Sequence, residues 1–172
     1  MAVTGSAGAK KARGLLNGIP DRFNEFCHMD QITFIQLADW LLENTQSNIS
    51  EDISVEESLF IFLDIVAQGN SFKTAAYGWD HDVQLTQNIF LNIVNALHVL
   101  REKEELSPSC PAFNTSKKRW RMIHAWRPGK AKMDGRVKIG GDLGGDGLEV
   151  NQQSIIEALT ALNNFIHEHN ET

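Results

Sequence analysis

The chain has 172 residues, 42% apolar and 22% charged, which suits one modest domain, or one domain plus an extension, large enough to bury a core without staples. Two isolated cysteines, Cys27 and Cys110, make neither a disulfide framework nor the paired spacing of a zinc site, so a reducing compartment is expected. The longest apolar run, Leu59 to Ala67, is interrupted by Asp64 and falls far short of a membrane span, and Lys10, Lys11 and Arg13 are followed by no apolar leader core.

The net charge of −6 is unevenly spread. From Asp21 to Glu105 four basic residues face fifteen acidic ones, a net of −11. From Lys117 to Lys138 nine basic residues face one acid, a net of +8, and Ile139 to Thr172 holds six acids with no Lys or Arg. An acidic module and a basic segment thus share one chain. They can attract each other, or the basic one can seek an outside anion.

Met1 to Gly18 is rich in Gly and Ala and is expected to be a flexible lead-in. Pro20 suits a first helical turn, and Phe23, Phe26 and Cys27 predict a short helix to about His28. Asp30 is the N-cap expected for the next helix, whose apolar face is Ile32, Phe34, Ile35, Leu37, Ala38, Leu41 and Leu42, ending near Asn44. Thr45 to Ile53 reads as a loop. Ser54-Val55-Glu56-Glu57 then fits a capping box, with Ser54 as N-cap and Glu57 three residues on. Leu59, Phe60, Phe62, Leu63, Ile65, Val66 and Ala67 make this third helix apolar on most sides, hence central, with Gly69 as its stop.

Ser71 to Trp79 predicts a short fourth helix ending near Gly78, and His81 to Arg101 a long fifth one. With the tight turn near Gly78 to Asp80 between them they outline a helix-turn-helix, a pattern that any helical bundle can supply. Ser107 to Pro111 breaks the pattern, and Lys117 to His124 suits a basic helical turn. Arg127 to Gly147, with Pro128 and seven glycines, reads as a mobile loop. Asn151 to His169 closes the chain as a helix.

The expected fold class is therefore all-α: a compact helical bundle with a helix-turn-helix-like element, a basic and Gly-rich extension and a C-terminal helix. Its divisions are a flexible N-terminus (1–18), the bundle (19–105), the extension (106–150) and a closing helix (151–170) that packs on the bundle or on a second copy.

From Leu15 to about Leu100 the chain resembles the N-terminal region of PIF/Harbinger-type transposases and their host-domesticated relatives. The resemblance rests on Leu15-Leu16-Asn17-Gly18, Pro20 to Phe26, Met29-Asp30 and Phe34, then Trp40 to Thr45, then Ser54-Val55-Glu56-Glu57 with Leu59 and Ile61-Phe62-Leu63. It resumes at Phe113, Lys117-Lys118-Arg119-Trp120 and Ile123, and in the closing helix at Ile155-Ile156-Glu157-Ala158 and Ala161 to Ile166. The resemblance implies a catalytic core of two aspartates and a glutamate that bind divalent metal on a ribonuclease-H-like sheet. Here only Leu106 to Ser109 separate the matched front from the matched rear, and Cys110 stands where the glutamate would be. A thiol is a poor substitute for an oxygen ligand on Mg²⁺, and Asp134, Asp142 and Asp146 lie in a Gly-rich stretch with no sheet to bring them together. The expectation is a chain that is not an enzyme and needs no cofactor or metal.

The implied helix-turn-helix places Lys73, Gln84, Gln87 and Asn88 as candidate DNA contacts, with Asp80 and Asp82 opposing phosphate. The basic segment adds Lys117, Lys118, Arg119, Arg121, Arg127, Lys130 and Lys132, interleaved with Trp120 and Trp126. That segment reads equally as a catalytic-domain remnant, as a clasp on the acidic bundle or as a nuclear-import signal. Ile155, Leu159, Leu162, Phe165 and Ile166 form an apolar face for a protein partner or a homodimer. The six histidines are scattered or, like His167 and His169, point to different sides of a helix, and the glycines from 140 to 147 lack the GK[ST] of a phosphate loop. No small-molecule substrate is evident. The leading expectation is a transposase-derived accessory or regulatory protein, nuclear or nucleo-cytoplasmic, acting through protein contacts. Its alternatives are a non-cleaving DNA-binding protein and a relic with no selected role.

Overall fold

A computed structural model describes residues 6–44, 53–105, 136–139 and 148–170. In chain order the elements are α1 (Ala7–Leu16), α2 (Pro20–Cys27), α3 (Gln31–Asn44), α4 (Val55–Val66), α5 (Phe72–Trp79), α6 (Val83–Glu105), β1 (Arg136–Ile139), β2 (Leu148–Asn151) and α7 (Gln152–Asn170). The fold is all-α, with seven helices among the described residues.

The most apolar segment becomes the hub. Every residue of α4 from Glu57 to Val66 is buried, and α1, α2, α3, α5 and α6 all pack against it. Ser54 caps its first turn by accepting the Glu57 N–H at 3.2 Å, and two glutamates favour the positive end of the helix dipole. Gly69, at φ +72°, turns the chain out of this helix in a left-handed conformation that costs glycine little. Phe60 sits at the centre of an aromatic cluster. It stacks on Phe34 with centroids 4.4 Å apart and on Trp79 at 6.0 Å, and it meets Phe23 edge-on at 5.8 Å. Truncating such a ring costs about 3–5 kcal/mol.

Two expectations change here. The lead-in read as flexible is a helix from Ala7 onward. Ser6 caps α1 by accepting the Ala9 N–H, and Gly8 and Ala12 are buried against α4 and α5. Small residues signalled close approach to a neighbour rather than freedom of the chain. The Gly-rich stretch read as loop contains β1, which pairs antiparallel with β2, Arg136 opposite Asn151 and Ile139 opposite Leu148. Val137, Ile139, Leu148 and Val150 supply the β-favouring residues at alternating positions on either side of the glycines.

The closing helix folds back in cis. α7 lies along α6 and touches α3. His98 Nε2 pairs with Ser154 Oγ at 2.8 Å, and Arg101 donates to Glu157 at 3.0 Å. That ion pair is partly exposed and adds at most about 1 kcal/mol, so the apolar face of α7 carries the docking.

Candidate functional site

The α5–α6 pair, where the sequence places a helix-turn-helix, is built by local hydrogen bonds. Ser71 caps α5 by accepting the Thr74 N–H at 3.1 Å. The helix ends at Asp80, the last residue of the expected Gly78 to Asp80 turn, which adopts a left-handed conformation. The His81 N–H reaches back to the Ala76 carbonyl at 2.9 Å. Asp82 then caps α6, accepting the Leu85 N–H at 2.8 Å, which moves the start of this helix from the expected His81 to Val83. One of the two aspartates expected to repel phosphate is thus a structural cap.

The four candidate base-contacting residues of this element separate. Lys73, Gln84 and Asn88 are exposed, and Gln84 Nε2 donates to Asn88 Oδ1 at 3.3 Å. Gln87 is 7% exposed and faces the core, so it is removed as a base-reading residue. Its position is dictated by Phe90 and Val94, buried on the same side of α6 three and seven residues on. Lys117, Lys118, Arg119, Arg121, Arg127, Lys130 and Lys132 lie outside the described residues.

The candidate partner face is also corrected. Ile155, Leu159, Leu162, Phe165 and Ile166 are all buried in the common core. Phe165 additionally stacks on His169 with centroids 4.0 Å apart. The face exists, but the rest of the bundle occupies it.

A buried polar network lies under the α5–α6 turn, and sequence reasoning missed it. His81 Nε2 contacts Glu57 Oε1 at 2.8 Å, with the side chains only 9% and 1% exposed. The Glu57 carboxylate does not complete a reciprocal capping box. It points across to α6's entry and holds the turn onto α4. Further along α4, Asp64 accepts the Trp79 indole N–H at 3.0 Å and the Asn70 amide at 2.8 Å. Both of these buried acids of the central helix are therefore satisfied, which the burial of a carboxylate demands. α1 covers this network. Lys11 Nζ lies 4.0 Å from the Trp79 ring centroid and donates to the Gly78 carbonyl at 3.0 Å. Gly8 packs so closely that a Cβ there would meet Glu57 Oε1 at 1.9 Å and the Trp79 carbonyl at 2.8 Å. A glutamate and an aspartate inside an otherwise apolar helix were the available signal, since such residues need partners when buried.

Cys27 is fully buried, and desolvation pushes its thiol well above the range of an ordinary cysteine, so it is no nucleophile in the folded chain. Among the described residues no group of three or more His, Cys, Asp or Glu side chains is arranged to hold a metal ion, and no helix is long and apolar enough to cross a membrane.

The solvent face of α3 departs from its expected pattern. Phe34, Leu37, Ala38 and Leu41 are buried, but Ile32, Ile35 and Leu42 are 71%, 48% and 51% exposed. The seven residues expected to form one apolar face of α3 thus split between two faces.

These helices define an all-α domain in which five helices surround α4. Residues 5–99, more than half of the chain, match one family model, and the chain belongs to that family, described as Domain of unknown function (DUF8040). The match takes in α1 through most of α6 and stops short of α7. No curated protein and no solved structure matches the chain.

Proposed function

We propose that this chain is a catalytically inert, transposase-derived accessory or regulatory protein that works through protein contacts in the nucleus or the nucleo-cytoplasmic pool. The observation that carries the reading is the character of the bundle surface. The α5–α6 turn presents Asp80 and Asp82, and of its nearby cations Lys73 is exposed on α5 while Lys11 of α1 is engaged by the Gly78 carbonyl and the Trp79 ring; Gln87 is turned inward. A phosphate backbone is bound chiefly by Lys and Arg, so such a turn is a poor docking end for duplex DNA. The exposed isoleucines and leucine of α3 are instead the type of surface that protein partners cover. The transposase origin rests on the sequence resemblance, whose front portion falls within the family match. Cys110, at the position of the last catalytic glutamate in that resemblance, supports the loss of cleavage.

The second reading is non-cleaving DNA binding. Exposed Lys73, Gln84 and Asn88 favour it, together with the basic segment 117–138. Fluorescence anisotropy of the purified protein with a mixed pool of duplex DNA, at low and near-physiological salt, separates the two. The protein-contact reading expects no retention at near-physiological salt. Tight binding with a steep salt slope, flattened by replacing Lys117, Lys118, Arg119 and Arg121 with Ala, would replace it with the DNA reading.

A further inference from the structure

The exposed residues of α3 have a regular spacing. Ile32, Ile35, Asp39 and Leu42 follow one another at intervals of three, four and three, the a and d positions of two successive heptads. They lie on the helix face opposite the buried one formed by Phe34, Leu37 and Leu41. Asp39 and Glu43 are exposed on this side, and neither forms an ion pair among the described residues. No Lys or Arg occurs in α3. Lys103 of α6 does reach α3, but at Asn44 and over the Trp40 ring, on the side turned away from the seam. Gln31 Nε2 donates to the Leu16 carbonyl at 2.8 Å, which brings the α1–α2 link, with exposed Ile19, to the same end of the helix.

We propose that this face of α3 is a docking seam for a basic amphipathic helix of a partner protein, one with apolar side chains facing Ile32, Ile35 and Leu42 and a Lys or Arg facing Asp39. The inference rests on the protein-contact reading and names the surface for it. Charge decides the occupant. A second copy in parallel would set Asp39 against Asp39. In antiparallel register it would bury Asp39 against Ile35. Either arrangement takes a carboxylate out of water without a counter-charge, which disfavours a second copy as the occupant. A basic helix turns the same residue into an attractive and register-fixing contact.

The test uses the full chain as the target for phage-displayed helical peptides, with Leu or Ile fixed at a and d positions except at the randomised position opposite Asp39, and with all other positions randomised. The double variant Ile35→Ser, Leu42→Ser serves for counter-selection. Both side chains are exposed, so its circular dichroism and melting curve should match the parent, and Ile32→Ser provides a second, independent variant. The expected result is enrichment of Lys and Arg opposite Asp39 and Glu43. Affinity should fall about tenfold or more in the double variant, and Asp39→Lys should reverse the charge preference. Selected peptides without a basic bias, or peptides that bind parent and double variant alike, would overturn the proposal. So would a dimer of the chain that Ile35→Ser, Leu42→Ser dissociates, or seam affinity that rises when Lys117, Lys118, Arg119 and Arg121 are changed to Glu. Failure of the seam without duplex binding would leave protein contact to another face, whereas salt-steep duplex binding would remove the broader reading.

Discussion

Gly8→Ala and Gly14→Ala should act in opposite directions, although both glycines belong to α1. In a solvated helix either change should stabilise by about 0.5–1 kcal/mol, because alanine loses less conformational freedom on folding. A Cβ added at Gly14 would meet nothing within 4 Å among the described residues, so this position should show that gain undiminished. At Gly8 the Cβ would lie 1.9 Å from Glu57 Oε1 and 2.8 Å from the Trp79 carbonyl. One response moves α1 off α4 and α5, an overpacking adjustment of about 1–3 kcal/mol. The other swings Glu57 away from His81 and sacrifices a buried hydrogen bond to a charged group, about 1.5–3 kcal/mol. The backbone carbonyl cannot swing away, so displacing Glu57 relieves only part of the clash. Subtracting the helix gain leaves Gly8→Ala destabilised by roughly 1–2 kcal/mol. Urea unfolding followed by far-UV circular dichroism should show its midpoint falling and that of Gly14→Ala rising. If both variants were stabilised equally, α1 would not be seated on the Glu57–His81 pair, and the buried-network account would be wrong.

The same network makes His81→Ala costly, by about 1.5–3 kcal/mol in urea unfolding, because Glu57 is left buried without this partner. Glu57→Gln, which keeps a polar group beside His81, should cost less than Glu57→Ala. Phe165→Asp should destabilise the chain by at least 3 kcal/mol or so, since Phe165 is buried. A shifted sedimentation profile with an unchanged melting curve would contradict its cis packing. Cys27 should react with a thiol reagent only as fast as the chain opens. Its raised folded-state pKa also predicts a pH effect of definite sign. The unfolded thiol ionises above about pH 8.5 while the folded one stays protonated, so this contribution to stability is full below that pH and declines above it by up to about 1.4 kcal/mol per pH unit. The decline should appear as the difference between the parent and Cys27→Ala in urea unfolding measured at several alkaline pH values.

Local chemistry made most helix limits legible. Ser54 and Asp30, read as N-caps from their positions ahead of apolar runs, each accept the N–H three residues on, and Ser71, read as the first residue of its helix, does the same as the cap of α5. Periodicity also identified α4 as the hub, because apolar residues on nearly every side leave no face for solvent. The less legible parts depended on partners distant in sequence. Nothing local distinguishes Gly8 and Ala12 of a buried helix from a small-residue tail. The seat under α1 is made by Glu57 and Trp79, far along the chain. Likewise, Gln87 and Gln84 are both amides near the start of α6, and only the rotation of that helix against α4 and α5 hides one and exposes the other. In α3 the apolar residues outnumber what one face can bury. Sequence periodicity merged two faces that packing separates.

That separation bears on the proposal that this acidic bundle works through protein contact. Some of its carboxylates are committed to the fold: Glu57 holds His81, Asp64 holds Trp79 and Asn70, and Asp30 and Asp82 cap helices. Asp39 and Glu43 do none of this and lie along the exposed apolar seam of α3. An acid needed only for solubility could sit anywhere on the surface. One set at an a position between Ile35 and Leu42 weakens self-association at that seam while leaving it open to a cationic helix. Replacing Asp39 with Leu should therefore create a concentration-dependent dimer, visible by sedimentation velocity, without lowering the melting temperature. If Asp39→Leu stayed monomeric at high concentration, the residue would not be what keeps two seams apart, and charge at this position would no longer decide which helix the seam accepts.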